Sequence, residues 1–94
     1  MSLQEQISRI QEIMKPKNPK GWSGGEKKLE KEFSFKDFAT AMDFVNKVAK
    51  ISEKQNHHPD IEIKYNKVYL SITDHEKGKV SEKCIKLIGD IEKL

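Results

Sequence analysis

An α+β domain, with helices packed on one face of a small antiparallel sheet, is the fold the sequence predicts. Three observations predict it. Apolar residues recur at helical spacing near both ends and in the middle of the chain; they alternate in two short runs between residues 61 and 72; and another alternating run follows a loop rich in proline and glycine. The implied order is helix, strand, helix, strand, strand, helix, with a short extra strand near Trp22.

Leu3, Ile7, Ile10 and Met14 form the stripe of a first amphipathic helix. Ser2 and Glu5 match a capping box at its start, and Pro16 ends it. Residues 15–26 read as a loop from their prolines and glycines. Trp22 stands out inside it, since a large aromatic in a loop either packs on the body of the domain or walls a planar ligand. Leu29, Lys31, Phe33 and Phe35 share one side of an extended segment. A second helix is expected from about Lys36 to Gln55, with Phe38, Met42, Val45 and Ala49 as its stripe, widened by Ala41, Phe44, Val48 and Ile51. Ile61, Ile63 and Tyr65 alternate outward, Asn66-Lys67 can turn, and Val68, Leu70 and Ile72 alternate back, predicting a hairpin. The last helix is expected after Ser81 as N-cap, with Glu82 in its first turn and Cys84, Leu87, Ile88, Ile91 and Leu94 on one face. Val80 and Ile85 are spaced for a hydrophobic staple across its start.

Size and composition limit the function classes. A chain of 94 residues, 35% hydrophobic and 35% charged, holds one domain with a thin core. Of its 18 basic residues only Arg9 is an arginine, and the net charge is only +3, which argues against a nucleic-acid reader. Cys84 is the single cysteine, so there is no intrachain disulfide and no cysteine-based zinc cage. No apolar run approaches the ~20 residues needed to cross a bilayer, and the start lacks the apolar region of a signal peptide. The expectation is a soluble cytoplasmic protein with no membrane association.

The chemistry concentrates in the three histidines. His57-His58-Pro59 sits where the second helix gives way to the hairpin, and His75 lies just past the hairpin's second strand. A hairpin that folds back on itself returns residue 75 to the neighbourhood of residues 57–60. Glu53 lies one helical turn before His57. Three readings stand at this point: histidines at loop ends with no special role, a histidine metal site, or acid–base catalysis by imidazoles whose ordinary pKa of ~6.5 lets one ring donate while another accepts. Against a metal, no His-x-x-x-His helical spacing is present.

Glu53-Lys54-Gln55-Asn56-His57-His58-Pro59, then Tyr65-Asn66-Lys67-Val68, then His75, resembles the signature of the pterin-4a-carbinolamine dehydratases. Gly21-Trp22 and Phe33-Ser34-Phe35-Lys36-Asp37-Phe38 extend the resemblance upstream, as do Ala41, Phe44, Val48 and Ala49. It covers about residues 21–94, so the whole chain, 1–94, is expected to be one such domain, with the first helix and the start of the loop in residues 1–20. The resemblance implies a four-stranded antiparallel sheet, which with the three helices of the pattern completes the expected architecture. It also implies a homodimer or homotetramer, and an enzyme that recycles tetrahydrobiopterin without any cofactor or metal. His57, His58 and His75 take the active-site histidine places, and Glu53 that of the neighbouring acid. Trp22, Pro59 and the stretch Asp74, His75, Glu76, Lys77 take places lining the pterin pocket. Some members of the family also serve as dimerisation partners of a homeodomain transcription factor. A binding-module role, with a protein partner and a nuclear location, is therefore the alternative.

The chain departs from the family at several points. Ile61 stands where an aromatic is common, Asp74-His75-Glu76 replaces Thr-His-Asp, and Gly78-Lys79-Val80-Ser81 replaces Gly-Gly-Leu-Thr. Cys84 replaces an aspartate frequently found near the start of the last helix. None of these removes a histidine; they bear on pocket shape and pterin preference.

Overall fold

The structure is a computed structural model, and it describes residues 18–94. Two helices and four strands follow in the order β1 (Ser23–Gly24), β2 (Leu29–Ser34), α1 (Phe38–Gln55), β3 (Asp60–Lys64), β4 (Lys67–Ile72) and α2 (Glu82–Glu92). The first helix expected from the sequence, with its Ser2–Glu5 cap and Leu3–Met14 stripe, lies outside the described residues. The strands form one antiparallel sheet in the order β1-β2-β4-β3.

Strand alternation divides the sheet into two faces. Leu29 of β2 and Val68, Leu70 and Ile72 of β4 are buried on the inner face, where they meet Ala41 and Val48 of α1 and Cys84, Leu87, Ile88 and Ile91 of α2. The register puts Leu29 beside Ile72 and Phe33 beside Val68, so the apolar residues of the two central strands stack. Phe33, Phe35 and Phe44 extend this core, with ring centroids 4.7 Å apart for Phe33–Phe44 and 5.0 Å for Phe35–Phe44. The outer face is polar. There Tyr69 hydrogen-bonds to Glu30, and this bond, with burial and the charges of Glu30 and Glu62, pushes its phenol up to about 12.

Caps fix both ends of α1. It starts two residues later than the apolar pattern suggests, because Asp37 is its N-cap and accepts the Thr40 N–H at 2.8 Å. At the other end Asn56 adopts a left-handed conformation (φ 50°, ψ 43°). The Asn56 N–H then donates to the Glu53 carbonyl at 3.3 Å and the His57 N–H to the Ser52 carbonyl at 3.1 Å. That pairing is a Schellman stop, for which asparagine is the best residue after glycine. It turns the chain out of the helix immediately before the two histidines.

The hairpin turn sits one residue earlier than expected. Lys64 pairs with Lys67, which leaves Tyr65-Asn66 as the loop, and Tyr65 carries the positive φ of 53°. Asn66 is held by two bonds to Phe35: its side-chain amide donates to the Phe35 carbonyl at 2.8 Å, and its own carbonyl accepts the Phe35 N–H at 2.8 Å. These bonds anchor Asn66 to the end of β2, and the left-handed position passes to its neighbour. Tyr65 is accordingly exposed and does not continue the inward alternation of Ile61 and Ile63.

Candidate active site

The β3–β4 ladder decides where the histidines go. Asp60 pairs with Ser71, so the start of β3 and the end of β4 lie at the same end of the sheet. His57-His58-Pro59 enters that end from α1, and Thr73-Asp74-His75 leaves it toward α2. The register returns the chain at Ser71 to the end of the sheet where β3 begins, and His75 follows four residues after that last pair.

The two adjacent rings meet different surroundings. His57 is buried (8% exposed), and its Nε2 lies 3.3 Å from the Sγ of Cys84, which is fully buried. The ring forms part of a cleft of about 520 Å³ between α1 and α2, together with Lys54, Gln55, Lys83, Lys86 and Asp90. His58 is exposed, and its Nε2 lies 3.2 Å from Oε2 of Glu53. Glu53 therefore belongs with the histidines, as its place one turn earlier suggested, but its partner is His58, not His57. Because a carboxylate only accepts, the nitrogen of a neutral His58 facing Glu53 must carry the proton, leaving Nδ1 with its lone pair.

Asp74 is buried (3% exposed) and committed to its own loop. Its carboxylate accepts the Ser81 hydroxyl at 2.7 Å and the backbone N–H groups of Glu76 and Lys77 at 3.1 and 3.4 Å. Its backbone pairs with Lys79. The Ser81 hydrogen bond foremost, helped by the Glu76 and Lys77 amides and the Lys83 charge, outweighs burial and holds the carboxyl below its ordinary 3.8. Asp74 thus shapes the turn that presents His75, Glu76 and Lys77, all three of them exposed. Pro59 is half-buried beside His58.

Trp22 is turned into the core. It is 5% exposed, its indole N–H donates to Glu92 Oε1 at 2.8 Å, and its ring stands edge-on to Phe33 with centroids 6.0 Å apart. Glu92 lies eight residues after Cys84 on α2, about 12 Å along the axis at ~1.5 Å per residue. The burial that a ligand would explain is accounted for by the domain's own packing.

Two participants were not legible as such. Cys84 entered the sequence reading as the single cysteine, a member of the apolar face of the last helix and a departure from the family, yet it is the side chain against His57. The signal was present in Ser81-Glu82-Lys83-Cys84, which places Cys84 at the third helical position, where a side chain reaches back to the N-cap; the Ser81 N–H does donate to Sγ at 3.5 Å. The lysines of the cleft entered the sequence reading only as part of the basic composition. Among the described residues no group of three or more His, Cys, Asp or Glu side chains is gathered as a metal would require. No helix of the described residues is long and apolar enough to cross a membrane.

Comparison with known proteins points to one family. A Prochlorococcus marinus protein named for the pterin-4-alpha-carbinolamine dehydratases is 46% identical over 78 residues, 83% of this chain and 81% of its own. A Picosynechococcus relative named for the same family is 44% identical over 73 residues, 78% of this chain and 79% of its own. Among solved structures, a transcriptional coactivator/pterin dehydratase from Brucella melitensis superposes with a TM-score of 0.74 at 28% identity, covering 98% of this chain and 94% of that one. A pterin dehydratase-like RuBisCO assembly factor of the alpha-carboxysome, at 21% identity and a TM-score of 0.62, covers 74% of this chain and 81% of its own, and shares the fold alone. The family profile described as pterin 4 alpha carbinolamine dehydratase matches residues 4–94, and the chain belongs to that family.

Proposed function

We propose that this protein dehydrates 4a-hydroxytetrahydropterins, among them the 4a-hydroxytetrahydrobiopterin formed in tetrahydrobiopterin recycling, by acid–base catalysis with His57, His58 and His75. The observation that supports the reading is the sheet register, by which the His57-His58 segment enters and the segment leading to His75 leaves the same end of the β3–β4 ladder, with Glu53 against His58.

The substrate carries a hydroxyl on C4a beside N5–H. Dehydration breaks the C4a–O bond, moves the N5–H electron pair into a new C4a=N5 bond, and releases one water. A protonated imidazole gives its proton to the departing oxygen, and a neutral one takes the proton from N5. His58 suits the base, since Glu53 leaves its Nδ1 free to accept. His75, exposed on the turn that Asp74 braces, serves as the acid in this reading. His57 anchors the substrate. The Glu53 carboxylate also favours the positive charge that develops on ring and imidazole. Pro59, Glu76 and Lys77 border the same sheet end and would line the pterin, with Asp74 acting through the turn. Trp22 supports the sheet edge beyond it. Neither a metal nor a redox cofactor is required by these steps.

The test is direct. Chemically generated 4a-hydroxytetrahydropterin, followed by absorbance in stopped flow, should decay to the quinonoid product faster with purified protein than in buffer. Exhaustive chelation should leave the acceleration intact. Equal rates with and without protein would defeat the reading. An inactive protein that still self-associates would favour the binding-module alternative. That alternative draws on the exposed apolar residues Ile61 and Ile63 along the free edge strand β3 and on the exposed Phe38 at the start of α1.

A further inference from the structure

His57 and Cys84 form a buried pair whose chemistry the dehydration steps do not use. The Cys84 Sγ receives the Ser81 N–H at 3.5 Å, so one sulfur lone pair is occupied and the thiol proton has to be placed elsewhere. Two acceptors are in reach, Nε2 of His57 at 3.3 Å and the Ser81 hydroxyl oxygen at 3.9 Å, and the imidazole nitrogen is both the nearer and the stronger acceptor. Two senses are open to such a contact, S–H to N or N–H to S. The thiol is the far stronger acid of the two neutral groups, and an imidazole nitrogen accepts much better than sulfur, so the proton lies on the sulfur side and points at Nε2. A neutral ring whose Nε2 accepts must carry its own proton on Nδ1.

We infer that Cys84 is a positioning residue that holds His57 as the Nδ1–H tautomer, so that His57 offers the ligand a hydrogen-bond donor and not a base. That a ligand meets His57 rests on the dehydratase reading; the tautomer does not. The surroundings agree with a donor. The cleft that His57 helps to form also holds the ammonium-bearing side chains of Lys54, Lys83 and Lys86, and its one carboxylate, Asp90, is engaged by Gln55 and by Lys86 at 3.7 Å. Such a wall suits an electron-rich edge of a bound heterocycle, a ring carbonyl oxygen or an anionic substituent. His58 is fixed in the opposite sense by Glu53, with its proton on Nε2 and its lone pair on Nδ1. Consecutive histidines thus carry one donor and one acceptor, and the division is set by what stands behind each ring.

The inference is particular to this chain. An aspartate at position 84, the residue common in the family, accepts only; it would draw the proton of His57 to Nε2 and leave Nδ1 as a lone pair. Long-range ¹H–¹⁵N correlation spectra of the full chain at neutral pH, without ligand, read the tautomer of each histidine. Wild-type His57 should show a pyridine-type Nε2 and a pyrrole-type Nδ1, and Cys84→Ser, which keeps a hydroxyl donor, should preserve that pattern. Cys84→Ala should move His57 toward the Nε2–H form that dominates in free imidazoles, and Cys84→Asp should invert the wild-type pattern. In the dehydration assay Cys84→Ala should raise KM several-fold with a smaller change in kcat, and Cys84→Ser should restore most of it. Should the buried carboxylate of Cys84→Asp prevent folding, the alanine and serine variants decide the matter. An Nε2–H tautomer in the wild type, or identical His57 signals in wild type and Cys84→Ala, overturns the inference. Because the spectra need no turnover, that failure is distinct from an absence of dehydratase activity.

Discussion

Replacing Glu92 should separate a packing role for Trp22 from a ligand-binding one. Glu92 Oε1 accepts both the Trp22 indole N–H at 2.8 Å and the Lys31 ammonium at 2.6 Å. In Glu92→Leu the indole N–H stays in a site that is 5% exposed and has lost its acceptor. An unsatisfied buried donor costs about 1–3 kcal/mol. The Lys31 pair adds little, because the Glu92 side chain is 39% exposed and pairs of that kind are worth about 0–1 kcal/mol. A loss of about 2 kcal/mol follows, which for a domain of this size lowers Tm by roughly 8–16 °C. Glu92→Gln keeps an oxygen for the indole and gives up only the charge, so it should cost under about 1 kcal/mol. The pH dependence provides a second reading. Burial pushes the Glu92 carboxyl up, but the hydrogen bonds from Lys31 and Trp22 and the Lys31 charge outweigh it, so the folded pKa falls below the ordinary 4.5. Its stabilisation is therefore present above that ordinary value and lost as pH drops through the folded one, and Glu92→Gln should remove this part of the acid slope. Thermal and urea unfolding of the three proteins measure all of this. Equal stabilities for Glu92→Leu and Glu92→Gln, with weakened pterin binding in both, would refute the packing account and return Trp22 to the ligand.

The catalytic assignment predicts that His58→Ala and His75→Ala each lower kcat by on the order of tens to thousands of times with unchanged circular dichroism, and that Glu53→Gln lowers it less. Wild-type rates in either variant would remove that histidine from the mechanism. For Asp74, whose carboxyl is held below 3.8, the bracing of the turn should persist above that value and fail as pH falls through the folded pKa. Asp74→Ala should accordingly lose amide-exchange protection first at Glu76 and Lys77, whose N–H groups its carboxylate accepts, and unaltered protection there would contradict the hydrogen-bond scheme. Tyr69, raised to about 12 chiefly by its bond to Glu30, stabilises the fold below 10.0 and stops doing so as pH climbs through about 12. Ultraviolet titration should show one of the two tyrosines ionising late in the wild type and earlier in Glu30→Gln. Light scattering at micromolar concentration should find a dimer or larger species, and a strict monomer would count against the oligomer the family implies.

What was legible in the sequence is what repeats locally. The alternation of Val68, Leu70 and Ile72 is strict enough to fix the inner face of β4, and all three are fully buried. The Ser81 cap of α2 follows from local sequence in the same way, whereas the buried face of α1 is Ala41, Val48 and Ser52 and the expected stripe of Phe38, Met42, Val45 and Ala49 lies beside it, with Phe38 and Ala49 exposed. What was not legible depends on partners far away in the chain. Trp22 looks anomalous in its loop only until Glu92, 70 residues on, is brought to its indole N–H. The turn moves by one residue because Phe35, 31 residues upstream, claims Asn66. Local propensity placed asparagine at the left-handed position, and two tertiary hydrogen bonds outweighed it.

The histidine cluster shows the same limit where it bears on chemistry. Residue identity and spacing can nominate His57 and His58 for one site, but two adjacent imidazoles are chemically equivalent until something stands behind each. Glu53 reaches His58 from five residues away, within the range of a sequence argument. Cys84 reaches His57 from 27 residues away, across the packing of α1 on α2, and no periodicity of either helix announces it. The groups behind the rings differ in kind, one a carboxylate that can only accept and the other a thiol with a proton to give. Division of labour between the two histidines is therefore a property of the helix packing, and a substitution in α2 can reassign it while leaving every histidine in place.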